Sequence, residues 1–473
     1  PGVSTTGRRT QALGTARVAV LPLRYAGAPD HAYLADGVTE ALIDVLGRTR
    51  AVEVAASGAS DRFRADRDPR SVGQGLGVAF VVDATLQAAG AAARATVRLL
   101  DAAAGVQLWS ARFDGDLADP FALQDHLSQR IAEALRTELQ IALYRDFASP
   151  QAIDAFRSAR REVNVGFGPT FVDAYRITRE HLDDHPGFTP GYPLLALLTL
   201  RAWFSVMVSN DVDWEPRAVA ALADARRLAP DFPETSFAAA MLAVQQGEWR
   251  SAAQSLRQTL AAAPYYAPAH QYLGSLRCEA GRADEGLPQI RAALDLDPNL
   301  PGGLFEYARC SALRGDHEGA EWALQRLHAD VLRLGATTML ELRVAAWRGD
   351  RDRIRGLLPR LEDVRGSIGA AIRGYASAAL GEPHPTPFPV EALFAPTVHP
   401  RVIAMLCQIA AEERCLAGAP ETALPYVQRA ADTVLIDLEW CDRCPVLAPL
   451  RAFPAFTESR RKVRERVEAI WSA

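Results

Sequence analysis

Residues 264–298 read PYYAPAHQYLGSLRCEAGRADEGLPQIRAALDLDP, and this stretch decides how most of the chain folds. Two helix-periodic runs are joined at Gly281, between Pro264 and Pro298, which lie 34 residues apart. The spacing recurs outside the stretch. Gly247, Gly281, Gly315 and Gly349 follow one another at intervals of 34, and Pro230 precedes Pro264 by the same 34. Small residues keep the register too: Ala240, Gly274 and Ala308 share one place in the first run, and Ala218, Ala252, Gly286 and Ala320 share one in the second. Two helices pack nearly backbone to backbone only where side chains are that small. The period therefore predicts stacked helix–turn–helix units, with the glycine in the turn and the proline ending each unit.

A 34-residue unit of this kind is similar to the tetratricopeptide repeat. Weaker units flank the clear ones. Ala174 and Pro186 fit the second half of an early repeat, and Gly418 with Ala423 fits a late one. Gly381 is offset by 32 from Gly349 and is followed by a Pro-rich breaker, 382–389. The segment from Asp442 to Trp471 is expected to cap the array, because the last apolar face of a solenoid has no neighbour. Two segments, AIDAFRSARREVNVGF at 152–167 and CDRCPVLAPLRAFPAF at 441–456, resemble the tetratricopeptide tails of bacterial Ser/Thr protein kinases.

Before residue 150 the pattern changes to alternating strand and helix. Strands are expected at Arg17–Leu23, Val52–Ala55, Val78–Leu86, Ala93–Leu100 and Val106–Phe113, with turns at Ala89-Gly90 and Ala104-Gly105. Helices are expected at Ala35–Gly47, at Ser71–Leu76 and over a long run from Phe121 to Leu143. That order gives a small α/β domain with a mixed sheet. Its phrases VAVLPL (18–23), YLADGVTEALIDVLGR (33–48), LGVAFVVDATLQ (76–87) and the run 98–135 resemble the amino-terminal domain of TolB and its relatives in bacterial signalling proteins. The resemblance implies a domain without catalytic residues of its own, placed between an effector and a helical repeat array. A protein kinase, a class III nucleotide cyclase or a winged-helix DNA-binding domain would be such an effector. The expected division is a linker at 1–15, the α/β domain at 16–147, the repeat solenoid at 148–434 and capping helices at 435–473.

Composition narrows the function classes. The chain has 473 residues, 49% hydrophobic and 23% charged, so it is globular and too long for one compact domain. A net charge of −5 gives no bulk attraction to nucleic acid or anionic membranes. Lys462 is the only lysine, which leaves no Schiff-base or phosphate-loop lysine before it. Six cysteines in this length do not make a disulfide framework, and with no secretory signal a cytoplasmic setting is expected. The longest apolar stretch, 194–208, is interrupted by Arg201 and too short to span a bilayer. The chain opens at Pro1 rather than Met, which leaves room for an upstream domain or a tether.

Several constellations have both a chemical and a plain reading. Gly73, Gly75 and Gly77 look like a phosphate-cradling loop, but they end a helix and precede a strand, the reverse of what such a loop needs. Cys441 and Cys444 form a lone Cys-x-x-Cys with only Cys407 and Cys415 nearby in sequence, so packing is the expected role. His181 and His185 lie four apart before Pro186 and read as a solvated helix end; Asp114, Asp116 and Asp119 read as an acidic turn. Neither kinase signature loop nor nucleophile elbow occurs. Arg460, Arg461, Lys462, Arg464 and Arg466 alternate with Val463, Val467 and Ile470, as on the solvated face of an amphipathic helix.

The sequence thus points to a non-catalytic regulatory and interaction module of a bacterial signalling protein. No cofactor, metal or nucleic acid is called for, and oligomeric state is left open. A small-ligand sensor in the α/β domain is the alternative, and an enzyme with an unrecognised site the third reading. Counted from the turn glycines, the concave side of the first helices should carry Phe237, Met241, Gln271, Ser275, Phe305, Arg309, Met339 and Arg343. Apolar anchors with two arginines in register suit an extended protein or peptide segment bearing a carboxylate.

Overall fold

The computed structural model describes residues 15–49, 52–165, 170–204, 212–331, 335–361, 366–383 and 398–472. Almost all of the expected linker and most of the Pro-rich breaker lie outside these residues. The chain forms a small α/β domain followed by a helical solenoid.

The α/β domain is built on six strands: β1 (Ala16–Val20), β2 (Arg24–Ala26), β3 (Val52–Val54), β4 (Phe80–Ala89), β5 (Ala92–Asp101) and β6 (Gln107–Asp116). The sheet order is β3-β1-β4-β5-β6, with β2 continuing beside β4 past the end of β1. Strand β1 pairs in parallel with β3 and β4, and β2 in parallel with β4, whereas β4–β5 and β5–β6 are antiparallel hairpins. The mixed sheet expected from the sequence is therefore present. The β4–β5 turn has Gly90 at φ 59°, a left-handed conformation that costs glycine nothing. Helices α1 (Tyr33–Gly47), α2 (Ser57–Asp61), α3 (Pro69–Leu76) and α4 (Pro120–Tyr144) surround it. One sheet face shares a core with α1 and α4 through Val18, Val20, Val38, Leu42, Val82, Val97, Ile131 and Leu135. The other face holds a smaller cluster, with Phe63, Val72 and Val78 against Leu21 and Val81. The acidic turn is structural: Asp119 caps α4 by accepting from the Phe121 and Ala122 amides, and Asp114 pairs with Arg94.

The solenoid runs through α5 (Pro150–Val165), α6 (Thr170–Asp184), α7 (Gly191–Phe204), α8 (Trp214–Leu228), α9 (Pro233–Gln246), α10 (Trp249–Ala262), α11 (Ala267–Glu279) and α12 (Ala283–Leu296). It continues with α13 (Pro301–Leu313), α14 (His317–Val331), α15 (Gly335–Arg348), α16 (Arg351–Leu361) and α17 (Gly366–Leu380). Successive helices pair as antiparallel hairpins in the expected register. The turn glycines 247, 281, 315 and 349, and also 381 and 418, all have φ between 70° and 78°. Ala218, Ala240, Ala252, Ala308 and Ala320 are fully buried. At the closest approach, a Cβ on Gly286 would lie 2.7 Å from the Gly274 carbonyl, so no larger residue fits without moving a helix.

The remaining helices, α18 (Pro400–Leu416), α19 (Leu424–Asp432), α20 (Leu438–Arg443) and α21 (Pro454–Trp471), do more than cover the array's end. They fold back against the first helices of the repeats and the turns that follow them. Helix α18 touches α9 and α17, α20 touches α11 and α13, and α21 is held between α19 and α10. Val434 lies over the Gly247 turn and Leu438 over the Gly281 turn. Arg250 donates to the Ala469 carbonyl at 3.1 Å, and Arg282 sits 4.8 Å over the Trp471 ring. Residues of α13 and α15 share one core with this segment, Leu304, Ala308, Val344 and Trp347 packing with Cys407, Ala411, Trp440 and Leu447.

Candidate functional site on the inner face of the repeats

The repeat places Arg309 on α13 and Arg343 on α15 at equivalent positions, and both guanidiniums point inward. Neither is free. Arg309 donates through Nε and Nη2 to Glu306 of its own helix (2.9 and 2.6 Å) and through Nη1 to Asp437 Oδ2 (2.7 Å). The other Asp437 oxygen receives the Trp440 amide at 2.9 Å, and Gln408 Nε2 adds a bond of 3.0 Å. Arg343 forks onto Glu412, Nε to Oε2 at 3.1 Å and Nη2 to Oε1 at 2.6 Å. Glu412 also receives Trp347 Nε1 (3.1 Å), Tyr375 OH (2.7 Å) and Trp440 Nε1 (2.7 Å).

Glu412 has no exposed surface, and five donors from four residues converge on it. Such a network is favourable only while complete, because an unpaired buried charge keeps its full desolvation cost. Burial opposes the charge on Arg343, yet the facing Glu412 outweighs it and holds the guanidinium ionised. Burial and the same carboxylate push the Tyr375 hydroxyl well above its ordinary range, so it stays a donor. The inner face is tied further by Arg401 to Glu279 and by Arg314 to Glu439 at 3.0 Å.

The expectation of an open groove is corrected here: the chain itself fills the face. Phe237 is buried between repeats, edge-on to Tyr266 (5.2 Å) and Tyr272 (5.3 Å). Met241 lies in the same core. Gln271 is buried against Gly302 at the start of α13, while Ser275 and Phe305 are half-buried. Met339 packs with Ile372 and Ile409. Glu412, Asp437, Trp440 and Tyr375 were missed in the sequence. Their only local signal was a pair of acidic residues, Glu412 and Glu413, continuing a helix whose stretch 402–411 is apolar apart from Gln408.

A second polar junction joins the two parts of the chain. Arg136 of α4 is buried between Glu133 (2.6 Å) and Glu234 of α9 (2.8 Å), and Arg160 of α5 meets Glu234 at 3.0 Å. Burial alone would raise Glu234, but the two arginines lower its carboxyl to about 2. A cavity of about 20 Å³, room for about one water, lies beside them between Thr137, Phe156, Leu194 and Tyr266.

The other sequence candidates have structural explanations. Gly77 stops α3 in a left-handed conformation at φ 64°. Cys441 and Cys444 are buried, which raises both thiols, the opposite of what a redox pair needs. His181 and His185 are half-buried and line a small cavity with Thr178 and Phe188, rather than standing in solvent. Among the described residues no group of three or more His, Cys, Asp or Glu could hold a metal. No described helix is long and apolar enough to cross a membrane. In α21, Arg460 pairs with Asp442, Lys462 with Asp432 at 2.6 Å, and Arg461 with Glu458 at 2.6 Å, while Val463, Val467 and Ile470 are buried.

No protein-family model matches the chain. Over 190 residues it is 29% identical to a curated Rhizobium meliloti (strain 1021) protein named "Putative adenylate cyclase 3", covering 39% of this chain and 32% of that protein. The chain thus spans about a third of that relative's length. Among solved structures, it is similar to the Cut9-Hcn1 hetero-tetramer of the APC/C (13% identity, 73% of this chain and 63% of that chain, TM-score 0.40). Yeast Tom70 (12%, 72% and 67%, TM-score 0.33) and a tetratricopeptide repeat protein from Parabacteroides merdae ATCC 43184 (12%, 58% and 100%, TM-score 0.33) are similar at a comparable level.

Proposed function

We propose that this chain is a non-catalytic regulatory and interaction part of a larger bacterial signalling protein, working in the cytoplasm. Its repeats form a scaffold that holds an acidic protein segment on their inner face. The observation that carries this reading is that Arg309 and Arg343 already grip carboxylates there, Asp437 and Glu412, supplied by the chain's own carboxyl-terminal segment. A partner segment of similar chemistry would take that place by competition, and the exchange would be relayed to an attached effector. The likeness to a protein named as an adenylate cyclase supports a cyclase as that effector, and the TolB-like phrases support the same domain order.

A peptide copying residues 430–444 tests the reading. The tethered segment is present at an effective concentration of order mM, so the peptide should bind poorly to the intact protein. It should bind the full-length Asp437→Ala variant, whose own segment is weakened at the Arg309 contact. Failure to bind a folded Asp437→Ala protein would show that the inner face is a closed core and not a binding surface.

A further inference from the structure

The two faces of the α/β sheet are covered unequally. Helices α1 and α4 cover one, whereas α2 and α3 cover only the β1 side of the other. Where their cover stops, Asp83 of β4 stands at the border with 9% exposure, and three guanidiniums converge on it. Arg24 of β2 donates to Oδ2 at 2.8 Å. Arg67, from the loop between α2 and α3, donates through Nε to Oδ1 at 3.0 Å, adds a second bond through Nη2, and is fixed by Nη1 on the Pro22 carbonyl at 3.0 Å. Arg98, directly opposite Asp83 on β5, approaches Oδ2 at 3.5 Å. One rung further on this face, β2, β4, β5 and β6 present Arg24, Thr85, Thr96 and Arg112 in a row.

Three guanidiniums against one carboxylate leave two positive charges. The excess is accessible: Arg67 is nearly enclosed, but the Arg24 and Arg98 side chains are 51% and 37% exposed, and each directs a single N–H to Asp83. Among the described residues no second carboxylate pairs with either. Thr85 and Thr96 add two half-buried hydroxyls beside them. The cluster also sits at the carboxyl end of β1, where the order β3-β1-β4 shows the chain crossing from one side of β1 to the other. Open α/β sheets receive ligands at such points.

We infer that Arg24, Arg67 and Arg98, with Thr85 and Thr96, form a binding site for a small dianionic ligand carrying a phosphoryl group. A phosphoryl dianion balances the two excess charges and matches the fork geometry of guanidinium donors. Asp83 holds the three arginines together when the site is empty. The inference rests on the α/β domain alone and is independent of how the repeats are used.

Calorimetric titration of the full chain in phosphate-free, low-salt buffer tests it, with inorganic phosphate and pyrophosphate as probes and citrate as the carboxylate counterpart. Saturable binding of the phosphate probes is expected, weakened about tenfold or more in Arg24→Gln/Arg98→Gln and unchanged in Arg227→Gln, a surface arginine of α8. Three results would each overturn the inference: no phosphate binding up to roughly 10 mM, equal binding of citrate, or an Arg24→Gln/Arg98→Gln protein that binds like the parent. Both arginines are substantially exposed, so the variant should fold, and its circular dichroism melt verifies that.

Discussion

Glu412 and Asp83 are both carboxylates that collect arginine, and they differ in what surrounds the arginine. Around Glu412, one guanidinium, two indoles and a phenol all donate to a carboxylate with no exposed surface, and the guanidinium itself is buried. Around Asp83, three guanidiniums share one partner, and two of them face solvent. The first arrangement fastens one part of the chain to another. The second keeps charge available for something else to bind. Burial and the count of charges separate the two roles, whereas residue type alone does not.

The largest effect should come from breaking the buried network. Glu412→Ala strands Arg343 in the core and should cost about 3–5 kcal/mol by urea denaturation. A loss below about 1 kcal/mol would mean that the site is hydrated and resembles the Asp83 cluster after all.

Acid should act next. Glu234 titrates near 2 in the folded chain, against 4.5 for an ordinary glutamate. The stability it contributes is present above about pH 4.5 and lost as pH falls toward 2, about 3 kcal/mol in all. His399 gives an earlier step. Burial against Trp203 and Phe204, with Arg401 beside it, lowers its imidazole to about 3. The unfolded chain takes up that proton below about pH 6.5, so stability begins to fall there. Urea midpoints measured from pH 7 to 3 should show both steps in the parent, with the step near neutrality smaller in His399→Gln, where only buried His270, its imidazole also lowered by burial, still contributes.

Ala252→Leu should overpack the α9–α10 hairpin by about 1–3 kcal/mol. Ala261→Leu, at an exposed position of the same helix, should stay within about 0.5 kcal/mol. Equal thermal shifts for the two would invalidate the repeat register. The smallest change is expected at the α/β cluster, where Arg98→Gln should alter stability by no more than about 0.5 kcal/mol, because Arg98 is a partly exposed third partner of Asp83. A large loss there would make the cluster a structural clamp like Glu412.

The repeat was legible because its signals are local. A left-handed turn selects glycine wherever it recurs, and close helix contacts select alanine, so Gly247 to Gly349 and Ala218 to Ala320 fixed the register from sequence alone. The α/β strands were legible for a similar reason, in their alternation and turn glycines. Three-residue β2 and five-residue α2 were not, being too short to show a period. The occupant of the inner face was hidden by distance along the chain. Asp437 lies 128 residues from Arg309, and Glu412 lies 69 from Arg343. A pattern with a period of 34 says which way Arg343 points and nothing about what meets it. It also explains why alanine at Arg309 or Arg343 is now expected to reduce stability, where an open groove would have tolerated it.

Hydrogen exchange on the intact chain tests the central claim, that residues 400–443 fill the inner face of the repeats. Amides of α18 and α20 should exchange as slowly as those of α13 and α15, since all four open only when the shared core opens. Exchange of α18 and α20 within seconds, with α13 and α15 still protected, would contradict the account and leave Arg309 and Arg343 facing an open groove.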